Sequence, residues 1–146
     1  MKGPKLELKT VQVTTASEEA TFLLAKEMAG SFQGKEIVLL TGELGAGKTI
    51  FAKGIAAGLG LEDVNQVCSP SFTLVNIYRA KFPIFHIDLY RLEKNSEIDD
   101  LGWEDYLDCG VIIVEWGEKF QIEMEAIQVS IEVEEDDTRK ITIERG

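Results

Sequence analysis

The residues most suggestive of chemistry form the octapeptide GELGAGKT, which runs from Gly42 to Thr49. Glycines in a G-x-x-x-x-G-K-T pattern let the backbone curl so that successive N–H groups point at phosphate oxygens. Lys48 supplies a positive charge for the outer phosphates, and the Thr49 hydroxyl is a ligand type that Mg²⁺ accepts. The apolar run EIVLL precedes the pattern and TIFAKGIAAGL follows it, which places the loop between a buried strand and a helix N-terminus. The sequence therefore predicts a site for nucleotide phosphates with Mg²⁺.

Two acids end apolar segments that are typical of buried strands. VIIVE ends in Glu115, and IFHID ends in Asp88. A phosphate site of this kind needs an acid that holds Mg²⁺ or its waters, usually at the carboxyl end of a neighbouring strand. Because VIIVE is the purer apolar run, we expect Glu115 to be the magnesium-side acid and Asp88 to orient the attacking water or a second Mg²⁺ water. The sequence leaves an exchange of these two roles open.

The polar loop CSPSFT, residues 68–73, offers the hydroxyls of Ser69, Ser71 and Thr73. In many nucleotide-dependent switches, a loop after the first helix supplies a hydroxyl that senses the γ-phosphate. The same composition also fits an ordinary loop that enters a strand, so both interpretations stay open.

The only histidine and one of the tryptophans lie beside the two acids. His86 is two residues before Asp88, and strand alternation puts both side chains on one face. A lone histidine is more often structural than catalytic. Trp116 directly follows Glu115, and its default role is packing. The sequence alone assigns no chemistry to either side chain.

The flanking sequence predicts alternating strands and helices that position these groups. LELKTVQV at 6–13 alternates like a strand, and the next segment reads as a helix that Thr15 or Ser17 caps and that Gly30 ends. The apolar face of this helix is predicted to contain Phe22, Leu23, Ala25 and Met28.

A second helix is expected from Lys48 to about Ala57, and short helices are expected within 91–109. Further strands are predicted at 36–41, 72–78, 83–90, 110–116, 126–133 and 139–144, the last two as a hairpin. This order predicts an α/β fold of the P-loop NTPase type with three layers. Its central sheet would be mostly parallel, with antiparallel additions and a C-terminal β-hairpin. The length of 146 residues suits a single domain spanning 1–146.

The net charge of −11, from 26 acids and 15 bases, bears on the possible partners. Proteins that grip nucleic acid directly normally present a basic face, because counterion release supplies much of their affinity. We therefore expect no DNA binding, and contact with RNA only through another protein. Acidic residues such as Glu97, Asp99 and Asp100 would complement a basic face on such a partner.

The remaining composition indicates a cytoplasmic protein without a membrane partner. No run of 18 apolar residues occurs, and the first ten residues contain no apolar segment of a secretion signal. Cys68 and Cys109 are far apart and do not form a metal-like cluster, which favours reduced thiols.

Four motifs in a fixed order resemble one family: GELGAGKT at 42–49, SPSFTLV at 69–75, HIDLYRL at 86–92 and VEWGE at 114–118. Together they are similar to the TsaE family, also called YjeE, of small bacterial P-loop ATPases that tRNA threonylcarbamoyladenosine formation requires. The resemblance implies ATP as ligand, ADP as product, Mg²⁺ as cofactor and a weak ATPase activity that partners stimulate. It also implies TsaD and TsaB as partners, which modify the adenosine beside the anticodon and which the ATPase would reset.

The resemblance further implies roles for individual residues. Thr49 and Glu115 would be magnesium residues, with Asp88 essential for hydrolysis and also close to the metal. Lys48 joins the two acids as a catalytic candidate. Glu18 is a weaker match near the nucleotide. The full predicted nucleotide-binding set is Glu18, Gly42, Glu43, Leu44, Gly45, Ala46, Gly47, Lys48, Thr49, Ile50 and Thr73.

The main alternative is a small-molecule P-loop kinase. Such an enzyme needs a lid, usually with arginines, that closes over the second substrate and excludes water. The arginines after the loop are scattered: Arg79, Arg91, Arg139 and Arg145. A signalling GTPase would carry an N-K-x-D motif, which this sequence lacks. A nucleotide-binding module with little turnover overlaps with the favoured interpretation.

Overall fold

The computed structural model describes residues 9–43, 45–70, 74–92, 95–120, 122 and 124–145. Leu44, Ser71 and Thr73, three of the predicted site or loop residues, lie outside them. The strands and helices are β1 (Lys9–Thr15), α1 (Glu18–Ala29), β2 (Ile37–Gly42), α2 (Lys48–Gly58), β3 (Val75–Arg79), β4 (Pro83–Asp88), α3 (Asn95–Asp99), β5 (Val111–Glu115), β6 (Ile127–Val133) and β7 (Arg139–Arg145).

One seven-stranded sheet orders these strands as β1-β7-β6-β2-β5-β4-β3. The four central strands, β6, β2, β5 and β4, are mutually parallel. Strands β7 and β3 pair antiparallel with β6 and β4, and β1 pairs antiparallel with β7. The predicted fold class is thus confirmed, including the C-terminal hairpin of β6 and β7. Because the central strands are parallel, their carboxyl ends meet at one edge, where ligands bind in open α/β sheets.

Both faces of the sheet are covered, which explains the near-continuous apolar sequence of the central strands. Helices α1 and α2 pack on one face, over side chains such as Leu40, Ile84 and Ile113. The other face is covered by α3, by two 3-10 turns and by aromatic side chains that include Trp103 and Phe120. In the part of the chain that the structure describes, no helix has the length and apolar character needed to cross a membrane.

The buried face of α1 agrees with the prediction in part, since Ala25 is buried and Met28 packs against the core. Ser17 is the N-cap, with its side chain accepting a hydrogen bond from the Ala20 N–H at 3.0 Å. The buried residues are Thr21, Ala25 and Ala29, whereas Leu23 is 50% exposed. At 3.6 residues per turn, Leu23 lies about 200° around the helix from Ala25, so it points away from the face that packs on α2.

Two glycines of α2 make this close approach possible. A Cβ added at Gly54 would lie 2.3 Å from the Phe22 carbonyl oxygen, and one at Gly58 would lie 2.4 Å from the Lys26 carbonyl oxygen. Both distances are shorter than real Cβ contacts. The close packing ties α2, whose first turn carries the phosphate-site residues, to α1.

Candidate functional site

The glycine-rich loop joins the end of β2 to the start of α2 at the carboxyl edge of the sheet. Gly47 is the N-cap of α2 with φ 114°, a left-handed conformation that favours glycine, and no side chain caps this helix end. The N–H groups of the first turn are therefore available to an anion, which the helix dipole also favours. Gly42, at the end of β2, has φ 152° and no room for a Cβ, which would meet the Ile131 carbonyl oxygen at 2.7 Å.

Lys48 lies inside this loop and is almost completely buried. Its Nζ donates hydrogen bonds to the carbonyl oxygens of Gly42 at 2.7 Å and Glu43 at 2.9 Å. The ammonium group also lies 4.2 Å from the centre of the Trp116 ring. Burial lowers the pKa of Lys48, and the charges of nearby carboxylates, Glu115 foremost, oppose that shift. The loop thus places one cation beside the phosphate-type site.

Glu115, the last residue of β5, is 3% exposed and bonded to two regular elements. Thr49 of α2 lies with its hydroxyl 3.1 Å from each carboxylate oxygen, and His86 of β4 approaches Oε2 with Nε2 at 2.6 Å. The carboxylate and the hydroxyl that the sequence predicted as magnesium residues are therefore in direct contact. Both are hard oxygen ligands of the kind that Mg²⁺ prefers.

Asp88 ends β4 and is paired in register with Glu115 on β5. It is 2% exposed, and its Oδ2 accepts a hydrogen bond from the Ser69 hydroxyl, while Oδ1 accepts the Tyr90 N–H at 2.8 Å. Asp88 also lines the central cavity, where a carboxylate can accept a hydrogen bond from a water molecule.

These groups surround a cavity of about 580 Å³. Its lining residues are Glu18, Gly45, Gly47, Lys48, Thr49, Ile50, Ser69, Asp88, Tyr90, Arg91, Glu115 and Trp116. A second cavity of about 230 Å³ shares Glu18, Gly45, Gly47 and Ile50, and adds Ala46 and Arg139 among others. The structure thus brings most of the predicted site residues together around two adjoining cavities, while Gly42 and Glu43 lie beside them.

The lining residues outside the predicted set include Tyr90, Arg91, Trp116 and Arg139. Tyr90 and Arg91 lie directly after β4, where the motif HIDLYRL was the available signal. Lys119 holds this segment by donating to the carbonyl oxygens of Leu89, Tyr90 and Leu92 at 3.2, 2.8 and 3.0 Å. Trp116, which was expected to be packing, is half-buried and faces Lys48, with φ 63°.

The fourth residue, Arg139, starts β7 at the same edge of the sheet. Its Nε donates to the Ala46 carbonyl oxygen at 2.9 Å, so the C-terminal hairpin contacts the glycine-rich loop. The two residues are 93 positions apart, and no local sequence signal could have indicated this contact.

The donor set fits a magnesium ion that arrives with phosphates. Among the described residues, no group of three or more His, Cys, Asp and Glu side chains is arranged to hold a metal. Mg²⁺ is usually bound by one or two carboxylates together with substrate phosphates and waters, not by an all-protein cage. Thr49 and Glu115 beside an anion-binding loop match that arrangement.

Comparison with known proteins gives a consistent result. The family model described as threonylcarbamoyl adenosine biosynthesis protein TsaE matches residues 15–141. The tRNA threonylcarbamoyladenosine biosynthesis protein TsaE of Rickettsia felis is 41% identical over 130 residues, covering 87% of this chain and 75% of the relative. The protein of the same name from Aquifex aeolicus is 38% identical, covering 92% of this chain and 96% of the relative.

A solved structure supports the same grouping. The crystal structure of Bacillus subtilis YdiB superposes with a TM-score of 0.76 and 31% sequence identity, covering 97% of this chain and 88% of that one. With a family match across most of its length and relatives above one-third identity, the chain belongs to the TsaE family.

Proposed function

We propose that this protein binds ATP and hydrolyses it with Mg²⁺ in the service of tRNA threonylcarbamoyladenosine formation. The observation that supports this most strongly is the contact of Thr49 with Glu115 at 3.1 Å, inside a cavity that also contains Lys48 and Asp88. The names of the curated relatives, which refer to this tRNA modification, supply the biological setting.

In the proposed site, each group has a separate task. The N–H groups of Gly45 and Gly47 and the ammonium of Lys48 bind phosphate oxygens, whereas the Ala46 N–H is donated to the Glu43 carbonyl oxygen at 3.0 Å. Thr49 and Glu115 hold Mg²⁺, which when bound neutralises charge that develops on the phosphoryl oxygens. Asp88, which lines the same cavity, accepts a hydrogen bond from the attacking water and orients it.

The nucleoside occupies the second cavity in this proposal. The two cavities share Glu18, Gly45, Gly47 and Ile50, so a ligand anchored by its phosphates extends directly from one into the other. Arg139 in the second cavity and Glu18, which lines both cavities, then provide polar contacts. This arrangement supports the expected role of Glu18 and adds Arg139 to the nucleotide set.

The proposed partners are TsaD and TsaB, which the ATPase would reset between modification cycles. Glu97, Asp99 and Asp100 are exposed on and beside α3, and suit a basic face of such a partner. Under this proposal tRNA is contacted only through the partner complex. Reversing these three charges should weaken docking and leave ATP binding unchanged, and loss of both would contradict this docking surface.

The deciding experiment is Mg²⁺-dependent ATP hydrolysis with and without purified TsaB and TsaD. Wild type is compared with Asp88→Ala, Glu115→Ala and the control Glu144→Ala, an exposed acid on β7 near the opposite edge of the sheet. The expected result is a slow rate that partners raise and that falls in both site variants but not in the control.

Two outcomes would contradict the proposal. A hydrolysis rate that does not change when TsaB and TsaD are added would contradict the proposal that the partners activate the ATPase. Transfer of the γ-phosphate to a small acceptor, tested with a panel of hydroxylated metabolites, would instead support the small-molecule kinase.

A further inference from the structure

A chain of buried hydrogen bonds leads away from Glu115 into the core. His86 is completely buried, and its Nε2 lies 2.6 Å from Glu115 Oε2. Its other ring nitrogen, Nδ1, lies 3.0 Å from the hydroxyl oxygen of Tyr78, which is 5% exposed. That hydroxyl in turn lies 3.4 Å from the backbone nitrogen of Cys68. The chain therefore joins the proposed magnesium acid to the residue before Ser69.

The chemistry of the groups determines which of them donates and which accepts in the two hydrogen bonds of His86. The carboxylate of Glu115 can only accept, so Nε2 of His86 carries the hydrogen. In a neutral imidazole Nδ1 is then an acceptor, and the Tyr78 hydroxyl donates to it. Burial raises the pKa of Tyr78, so its hydroxyl keeps the proton that this bond needs. The Tyr78 oxygen in turn accepts the Cys68 N–H, and it also lies 3.3 Å from the Cys68 carbonyl oxygen, a second acceptor for its hydroxyl.

The arrangement is more than packing. His86 shares its face of the sheet with Ile84 and Ile113, where an aliphatic residue would be buried without the penalty that a polar ring incurs. A buried imidazole is stabilised there only if both nitrogens are bonded, and the two partners found are Tyr78 and Glu115. Such partners fix the orientation of a metal-binding carboxylate and are known to tune its affinity.

Both acids are connected to the same short segment, residues 68–70. Ser69 donates to Asp88 directly, and Cys68 reaches Glu115 through Tyr78 and His86. We propose that His86 and Tyr78 are positioning residues that orient the Glu115 carboxylate and thereby raise its affinity for Mg²⁺. This inference rests on the proposed function, because it takes Glu115 to face Mg²⁺.

The most selective test is Tyr78→Phe, which removes one hydroxyl and keeps the ring. The matched control is Tyr106→Phe, whose ring stacks on Phe85 on the opposite side of the sheet, with centroids 4.3 Å apart. Isothermal titration calorimetry measures ADP affinity in Mg²⁺ and in EDTA for each protein. Tyr78→Phe should reduce the Mg²⁺-dependent gain in affinity by about 2- to 10-fold and leave the EDTA affinity unchanged. Tyr106→Phe should change neither.

Variants of His86 give the larger effect and a rescue. His86→Ala should reduce the Mg²⁺-dependent gain by about 10- to 100-fold, as for other residues that orient a metal ligand. His86→Gln keeps an N–H that can bond to Glu115 and should restore part of it. Thermal unfolding of each variant is measured in parallel, since a merely structural role would lower stability and affect ADP binding in Mg²⁺ and EDTA alike.

The possible failures can be separated. If wild type gains no ADP affinity from Mg²⁺, both the proposed function and this inference are wrong. If wild type shows the gain and Tyr78→Phe matches Tyr106→Phe, the proposed function stands and the positioning role is wrong. Equal losses in Mg²⁺ and EDTA would also overturn that role.

Discussion

Asp88 and Glu115 end neighbouring parallel strands and are paired in register, yet the protein holds them in different ways. Glu115 is bonded to Thr49 in α2 and His86 in β4, both within regular elements. Asp88 is bonded to exposed Ser69 in an irregular segment and to the backbone N–H of Tyr90 in its own turn. One acid is thus held by the framework and the other by a loop.

This difference indicates that the two acids have different roles. A carboxylate held by a helix and a strand keeps one orientation, which suits a metal that demands near-ideal geometry. A carboxylate held by a surface loop changes its partners whenever that loop moves, which suits a hydrolytic step under the control of a docking protein. The comparison therefore favours Glu115 as the metal acid and Asp88 as the regulated one.

The largest expected effect is that of Asp88→Asn on turnover. Loss of the water-orienting acceptor should lower kcat by about 10²- to 10⁴-fold, the usual contribution of a positioned acid or base. ADP affinity in Mg²⁺ should stay within about 3-fold, since Glu115 and Thr49 are untouched. Single-turnover hydrolysis and calorimetry measure the two quantities, with Glu144→Gln as the control. A large loss of Mg²⁺-dependent ADP affinity would instead indicate that Asp88 is the metal acid and Glu115 the acid that orients water.

Glu115→Gln should give the complementary result. We expect the Mg²⁺-dependent gain in ADP affinity to fall by about 10- to 100-fold, because an uncharged amide attracts and orients the ion less well than a carboxylate does. Titrating Mg²⁺ at saturating ATP should show hydrolysis partly restored at high Mg²⁺, unlike Asp88→Asn. Identical Mg²⁺ profiles for the two variants would mean that the acids are not functionally distinct.

Ser69→Ala tests the loop side of the comparison. Removing a hydrogen bond to a charged group normally weakens that interaction by about 1.5–3 kcal/mol, but water can replace the exposed Ser69 hydroxyl. We therefore expect kcat to fall by only about 3- to 10-fold, with Mg²⁺ affinity unchanged. The control is Ser31→Ala, an exposed serine that bonds the Met28 carbonyl oxygen at 3.3 Å. An effect on Mg²⁺ affinity as large as that on kcat would contradict the conclusion that Asp88 and Glu115 are held by separate sets of hydrogen bonds.

The smallest expected effect is the uptake of protons when ATP binds. Burial lowers the pKa of Lys48 from 10.5 in the folded protein. At a pH between the pKa of the folded protein and that of the unfolded chain, the unfolded chain binds more protons. The free energy of unfolding therefore rises with pH in this range. Bound phosphate favours the charged ammonium and reverses the shift. ATP binding at alkaline pH below 10.5 should therefore take up a fraction of a proton.

Calorimetry in buffers of different ionisation enthalpy measures this uptake. Glu115 opposes the shift more than Asp88 does, so Glu115→Gln should enlarge the uptake more than Asp88→Asn. Lys53→Gln, a change on the same helix, is the control and should leave it unchanged. Binding enthalpies that do not depend on the buffer would show that Lys48 stays fully charged in the free protein.

Much of the fold and the location of the candidate site could be predicted from the sequence. The glycine-rich loop, its strand and its helix are contiguous, so local rules of backbone freedom and periodicity suffice to find them. The apolar runs of β2, β4 and β5 predicted a parallel centre, because strands buried on both faces need apolar residues throughout. An error arose where an apolar residue was assigned to the wrong side of a helix, as with Leu23 on α1.

By itself, the sequence determined which chemistry is available: a phosphate loop, a magnesium-type hydroxyl and two strand-end acids. The tertiary structure decided how those groups differ. Strand register set Asp88 beside Glu115, and α2 brought Thr49 to one of them while a loop brought Ser69 to the other. Contacts such as Arg139 with Ala46 join distant parts of the chain, and only long-range packing creates them.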